Sequence, residues 1–288
     1  MNKILVNFVA VVAFFGSAIA AQADSFKLII MQDEKGAAQK YASLADYLKT
    51  KGVEVTLVAA PDYIIAAQMF AAGEADGMFS GSGVAGSMLI KDLATPVVRP
   101  VNKDGFSTYW AVMIAPKGAA KFTGSADYFA GKKVMFTALA SAGEFYYHAL
   151  PGVNKIKNTI IKAASHGEAI DALSKGAADV AIVKNRVWDK EKDKYPTLSK
   201  IGEDNGQNPD SALIVYKAAN PATVKKISEA LLGLKADHSP GANTVRDALN
   251  VKEYIATNKA DFNHNLEMLK KAGVTESIVM IKHHRINK

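Results

Sequence analysis

Two rhythms of apolar and polar positions take turns along this chain. Phe26 to Met31 and Val53 to Ala59 read as short strands, and Ala37 to Thr50 between them sets Tyr41, Leu44, Ala45 and Leu48 on one helical face. Asp62 then caps a helix running to Ala72, Gly77 to Phe79 is a buried strand, and Gly83 to Leu93 is a further helix. The order resumes downstream with strand Lys133 to Phe136, helix Ala142 to Leu150 and strand Thr159 to Lys162. Helix His166 to Lys175, strand Val180 to Val183 and helix Asn185 to Lys192 continue it. Strand and helix alternating at this interval imply parallel pairing with right-handed crossovers.

One phrase occurs twice. Ala60 to Ser80 and Ser165 to Lys184 each run from a polar start through a helical apolar pattern to a glycine, an aspartate and an apolar strand. Gly73 and Asp76 return as Gly176 and Asp179, 103 positions later. Two similar α/β lobes are expected, with a ligand held between them. Thr108 to Ala115 and Ala212 to Tyr216 are strands that carry the chain into the second lobe and back. The lobes are then residues 24–106 plus 217–288, and residues 107–216. Beyond residue 217 the pattern reads as helical: Pro221 to Leu234, Ala242 to Leu249 and Lys259 to Ala272.

Met1 to Ala23 changes where this fold is expected to work. A single cation, Lys3, precedes an apolar stretch to Ala21, and Ala21-Gln22-Ala23 is a small-x-small cleavage pattern, so a secretory signal cut before Asp24 is expected. The chain contains no cysteine, which excludes a disulfide framework, a thiolate metal site, a cysteine nucleophile and a lipid-modified cysteine. A free periplasmic protein is the expectation, as a monomer. The net charge of +7 is spread along the chain, which suits an anionic ligand or solubility and not nucleic acid.

In open parallel sheets, ligands lie beyond the carboxyl ends of the strands, where helices begin. Four such junctions here are small, polar or basic: Ser80-Gly81-Ser82-Gly83, Ala140-Ser141-Ala142-Gly143, Ser165-His166-Gly167 and Lys184-Asn185-Arg186. Each helix start carries unpaired N–H groups and about half a positive charge, so four around one cleft would trap an oxyanion. Ser141 with Glu144 and Ser165 with Glu168 also match the S-x-x-E capping box, in which the hydroxyl serves its own helix. A capped helix still has free N–H groups, so the two roles coexist. Lys184 and Arg186 read either as anion partners or as a solvated helix face with Asp189 and Lys190. Tyr63, Phe79, Tyr109 and Trp110 flank the junctions, as cleft walls or as core.

At these residues the chain resembles the phosphate, phosphite and phosphonate substrate-binding proteins of ABC importers, a branch of the type II periplasmic binding proteins. The resemblance runs from Lys27 to about Leu234. It is carried by Ala60-Pro61-Asp62-Tyr63, Gly73-x-x-Asp76 with Gly81, Tyr109-Trp110, Ser141-Ala142-Gly143, Ser165-His166, Gly176-x-x-Asp179, and Pro209-Asp210 ahead of Leu213-Ile214-Val215. It implies a Venus-flytrap fold with two hinge crossings, each lobe a mostly parallel sheet flanked by helices. It also implies an oxyanion site lined by Tyr63, Tyr109, the Ser141 loop and His166, and delivery to a permease in the inner membrane. No cofactor is implied. The chain departs from the family at two places. The loop that usually reads Ser-Thr-Ser-Gly is Ala140-Ser141-Ala142-Gly143, and the aromatic expected before Gly81 is Ser80. Aminoalkylphosphonate binders place acids deep in the cleft for the ligand's ammonium. Asp210 is a candidate for such an acid, yet Lys184 and Arg186 stand where an acid is expected, favouring a more anionic ligand or one without an amine.

A second function class keeps the fold and hands the ligand signal to a membrane kinase or other partner. Catalysis has less to support it: the chain has no G-x-S-x-G elbow, no H-E-x-x-H pair and no G-x-x-x-x-G-K loop. His283-His284 reads as a tail or at most a weak adventitious metal site.

Overall fold

A computed structural model describes residues 24–31, 37–61, 63–137 and 141–275. The signal segment, Asp62, Ala140 and the His283-His284 pair lie outside the described residues. The chain opens with β1 (Asp24–Met31), α1 (Ala37–Thr50), β2 (Val53–Ala60), α2 (Tyr63–Ala71), β3 (Gly77–Ser80), α3 (Ser82–Ile90) and β4 (Ala94–Asn102). There follow β5 (Thr108–Tyr109), β6 (Ala111–Pro116), β7 (Lys133–Thr137), α4 (Ala142–Ala149), β8 (Thr159–Ala163), α5 (His166–Ser174), β9 (Val180–Lys184), α6 (Asn185–Glu191), β10 (Leu198–Glu203) and β11 (Asn208–Pro209). Then come β12 (Ala212–Tyr216), α7 (Pro221–Leu232), α8 (Pro240–Ala248), β13 (Val251–Ala256) and α9 (Asn263–Lys271).

These strands build two sheets, ordered β13-β4-β12-β3-β1-β2 and β10-β6-β9-β7-β8. The repeated phrase is the same structural unit in both. β1 pairs parallel with β2 and β3, and β7 pairs parallel with β8 and β9. Gly73 and Gly176 turn the chain out of α2 and α5 at φ of +74° and +78°, a region where a Cβ is unfavourable. Asp76 and Asp179 then make matching contacts. The Asp76 carboxylate accepts from the Lys27 N–H at 2.7 Å while its own N–H donates to the Lys27 carbonyl at 2.9 Å; Asp179 does the same to Lys133, at 2.7 and 2.9 Å. Each aspartate thus locks the entry of one strand to the entry of the next.

The sheets are mixed and not mostly parallel. Parallel pairing is confined to the three strands of each repeated unit, and β12, β4, β13, β6 and β10 join antiparallel. The strands that cross between sheets cause this, because β6 and β12 enter beside β9 and β3 from the opposite end. The crossings are fastened to one another by the short ladder β5–β11, in which Tyr109 faces Asn208 and Thr108 faces Pro209.

Besides the two-residue β11, three strands fall where the sequence pattern showed none. β4 carries Pro96 and Pro100, which argue against a central strand, and its ladder with β12 shifts register at Leu213 and Ile214. β10 is an edge strand with its own register shift, and half of β13 is polar. The segment after residue 217 is therefore not wholly helical.

Both faces of each sheet are covered, so the central strands are apolar throughout. Phe26, Leu28 and Ile30 of β1 face a core shared with Leu44 and Tyr47 of α1, while Ile29 faces Phe70 of α2 and Met88 of α3. In β9, Val180 and Ile182 face Phe136, Phe145 and Tyr147, while Ala181 and Val183 face Ile170 and Trp188. Burial of each large side chain contributes about 1.5–3 kcal/mol.

α9 belongs to both cores. Leu266 packs with Met88 and Phe262 of the first lobe, and Leu269 and Val274 pack in the second lobe's core. Its His264 donates through Nε2 at 2.9 Å to the buried Asp204 carboxylate, which follows β10. A Cβ on Gly206 would lie 2.3 Å from the His264 ring, so the ring needs a glycine there.

The Asp204 carboxylate raises the His264 pKa above its usual value, against the opposing effect of burial. A raised folded-state pKa makes this pair stabilising below about pH 6.5, with the contribution lost as pH climbs through the folded value. Melting temperature recorded from pH 6 to 9 should fall over that window, and His264→Gln should flatten that part of the profile. In urea titrations, Asp76→Ala and Asp179→Ala should each cost about 1–2 kcal/mol, with Asn at either position keeping part of it because its Oδ1 still accepts.

Candidate functional site

Tyr109 is carried to the crossing by the β5–β11 ladder and is 5% exposed. Its hydroxyl shares a 2.5 Å hydrogen bond with Ser82, the first residue of α3, which is fully buried. Burial pushes the Tyr109 phenol up, with Ser82 opposing it, so it stays a neutral partner at pH 7. Gly81 is the N-cap of α3 and contributes no side-chain hydrogen bond to the helix start. A Cβ there would lie 3.8 Å from the Tyr63 hydroxyl, which places Tyr63 beside the same helix start. The buried Ser80 hydroxyl donates to the Gly81 carbonyl at 3.1 Å and is spent locally.

Charge gathers on the other side of Tyr109. The Lys184 ammonium lies 4.5 Å from the Tyr109 ring centroid and donates to both oxygens of Asp210, at 2.9 and 3.0 Å. Arg186 pairs with the same carboxylate, and its Nε is buried without a hydrogen-bond partner. Two cations thus share one anion, all three with only 15–23% of the side chain exposed. Burial and the Arg186 charge pull the Lys184 ammonium down toward about 7, against the Asp210 carboxylate that holds its proton. The Asp104 carboxylate also acts on Arg186.

His166 opens α5 and joins the cluster through backbone. Its Nδ1 accepts from the Lys184 N–H at 3.3 Å, which leaves Nε2 as the protonated nitrogen. Burial, and after it the Lys184 charge, lower its pKa to about 4. The ring is a neutral N–H donor at pH 7.

The helix starts behave differently from one another. Ser141 accepts from the Glu144 N–H at 3.2 Å and donates to the Thr137 carbonyl at 2.6 Å, so its hydroxyl is committed to its own helix. Glu144 is buried and paired with Lys162. Ser165 likewise caps through the Glu168 N–H at 3.1 Å, with the Glu168 carboxylate reaching back to the Ala164 N–H at 2.9 Å. What α4 offers an anion is amides. Ala142 is buried, and a Cβ on Gly143 would meet the Ile182 carbonyl at 2.3 Å, so glycine there lets α4 sit down on β7 and β9. α3 and α4 pack on each other and on α9.

Among the residues the sequence singles out, Tyr63, Gly81, Ser82 and Tyr109 form one contact series and Tyr109, Lys184, Asp210 and His166 another, meeting at Tyr109. Trp110 holds the same junction through its backbone, which exchanges two hydrogen bonds of 3.0 Å with Asn185, while its indole Nε1 donates to Glu203 at 2.9 Å. A cavity of about 190 Å³ adjoins Arg186 and Asp210 and is walled by Tyr41, Phe79 and Phe106. Sequence reasoning missed Phe106 and the cavity, and the only signal was an aromatic in a Gly-containing loop ahead of a crossing strand. A roomier hollow, about 750 Å³, lies beside Lys27 and Asp76 at the amino ends of the strands, away from the helix starts. No cluster of three metal-ligating side chains occurs among the described residues. No helix among them is long and apolar enough to cross a membrane.

Residues 26–262 match the family model for the ABC transporter, phosphonate, periplasmic substrate-binding protein. Among proteins of curated function none matches the sequence. Solved structures similar in fold include XAC2383 from Xanthomonas citri bound to ATP, with 14% identity, TM-score 0.69, and coverage of 87% of this chain and 97% of that one. The phosphonate-transporter binding protein PA3383 from Pseudomonas aeruginosa matches at 15% identity and TM-score 0.64, covering 87% of each chain. PhnD1 from Prochlorococcus marinus in complex with methylphosphonate matches at 15% identity and TM-score 0.66, covering 87% of this chain and 98% of that one. With the fold, the crossings and the family match in agreement, the chain belongs to the periplasmic phosphonate substrate-binding proteins of ABC transporters.

Proposed function

We propose that this protein, exported to the periplasm, captures a small oxyanion between its lobes and delivers it to an ABC permease in the inner membrane. The ligand is a phosphonate, phosphite or phosphate-like anion without an amine. The observation that carries this reading is the sharing of one buried carboxylate, Asp210, by Lys184 and Arg186, beside the Tyr109–Ser82 pair at the start of α3. An anion arriving there meets surplus positive charge, a neutral imidazole N–H and the amides of buried helix starts. Charge-assisted hydrogen bonds contribute about 1.5–3 kcal/mol each, and four or five of them offset association costs and reach the roughly 8 kcal/mol of a micromolar Kd. Contact with groups from both lobes makes the closed arrangement the better binder, which is what a permease needs in order to tell loaded from empty protein.

The absence of an amine from the ligand follows from Lys184. A carboxylate and an aromatic face are the usual receptor for an ammonium, and here the protein's own ammonium already occupies both.

Isothermal calorimetry with phosphate, phosphite and methylphosphonate should detect at least one ligand of micromolar or tighter Kd. Ser141→Asp keeps an N-cap but sets a carboxylate at the start of α4, and should weaken that ligand tenfold or more. Silence across the panel, or an unchanged Kd in the variant, would end this reading. Lys184→Met should weaken methylphosphonate while improving 2-aminoethylphosphonate relative to ethylphosphonate; a preference left unmoved would show that Lys184 does not stand in for a ligand amine.

A further inference from the structure

The cavity of about 190 Å³ beside Arg186 extends past the charge cluster onto an aromatic floor, and it is built from both sides of the crossing. Its floor is the buried Phe79, Val251 and Tyr254 of the first sheet, with Tyr41 of α1 against them. Phe79 stacks on Tyr41 at 5.8 Å between centroids and 29° between planes, and meets Tyr254 at 6.0 Å and 43°. The wall toward the charge cluster is Arg186 and Asp210. The opening is lined by polar groups, Asn102, Arg186, Asp210, Ser211 and Asn250, as well as by the aromatic floor, and by volume it has room for a six-membered ring, since roughly 150 Å³ is enough to hold benzene.

Its rim is held in a costly state. Phe106 is 49% exposed, although its N–H donates to Asn102 Oδ1 at 2.8 Å and its carbonyl accepts from the Asn102 N–H at 2.9 Å, which fixes the loop. The ring lies 5.9 Å from the Arg186 guanidinium. Ser211 and Asn250, also on the rim, have φ of +51° and +52°. Asn250 is the left-handed residue just after the Leu249 C-cap of α8, an ordinary place for asparagine, and Ser211 takes the same conformation next to Asp210. An aromatic floor, a half-exposed phenylalanine on a fixed loop and a guanidinium with an unpartnered N–H together describe a receptor for a flat apolar group tethered to an anion.

We propose that this cavity is a second subsite of the cleft and takes an aromatic-sized substituent of the oxyanion, making the ligand class an aryl-bearing phosphonate or phosphate ester and not a bare inorganic anion. The proposal rests on the oxyanion reading above. Arg186 is the joint between the two parts, with the anion on the Lys184 side of the Asp210 carboxylate and the ring between Phe79 and Phe106.

Calorimetry with phenylphosphonate and methylphosphonate tests it on the full mature chain. The wild type should bind phenylphosphonate at least tenfold more tightly. Phe106→Ala removes an exposed ring, and Leu249→Trp fills the cavity from its partly buried wall. Each should bring the ratio within threefold and leave the methylphosphonate Kd within twofold, with thermal melts confirming that both variants fold; Phe106→Ala alone suffices should the tryptophan not be accommodated. Equal or weaker phenylphosphonate binding by the wild type, or a ratio unmoved by Phe106→Ala, overturns the subsite and leaves the oxyanion reading standing. No heat with either phosphonate, with phosphate or with phosphite removes both.

Discussion

Asp210 is the group on which the middle of this molecule depends. It stands where the chain returns from the second sheet to the first, and it neutralises two cations from the β9–α6 junction that are too dry to be left alone. Removing one partner from a buried ion pair is strongly unfavourable, whereas the intact pair contributes little net stability. Its value here is positional. Lys184 is drawn over the Tyr109 ring, Tyr109 is drawn to Ser82, and the backbone of Lys184 fixes the tautomer of His166. One carboxylate therefore sets the arrangement of groups from β5, α3, α5 and β9.

How much of this was legible in the sequence follows from how local each feature is. The three-stranded parallel unit of each lobe could be read because helix, turn, aspartate and strand are contiguous, and because strands buried on both faces are apolar without interruption. β4 could not be read, since Pro96 and Pro100 contradict a strand locally and only pairing with β12 and β13 makes it one. β13 was hidden by its polar half and by helices on either side. Tyr109, His166, Lys184 and Asp210 were identified as candidates one by one, but their convergence is a property of the crossings. Ser141 shows the reverse: its type and place suggested a ligand hydroxyl, and the geometry gives that hydroxyl to Thr137 and Glu144. Phe106 had no pattern around it at all, because a lone aromatic in a loop has meaning only once its exposure is known.

The fold and the family are thus secured by different observations from those that bear on the ligand. Relatives near 15% identity share the chain path and little else, so the chemistry of the cleft has to be read from this chain's own residues. Against the loop usual in the family, Ala140-Ser141-Ala142-Gly143 carries two hydroxyls fewer.

α9 has a bearing on how the protein comes to exist. Leu269 and Val274 finish a hydrophobic interior whose other walls, from Phe129 to Ile201, are translated earlier. Until that helix emerges, the nascent second half keeps an open greasy flank and has no sealed structure to resist threading through a narrow conduit. A late-arriving plug of this kind postpones consolidation of that interior until nearly the whole polypeptide is available.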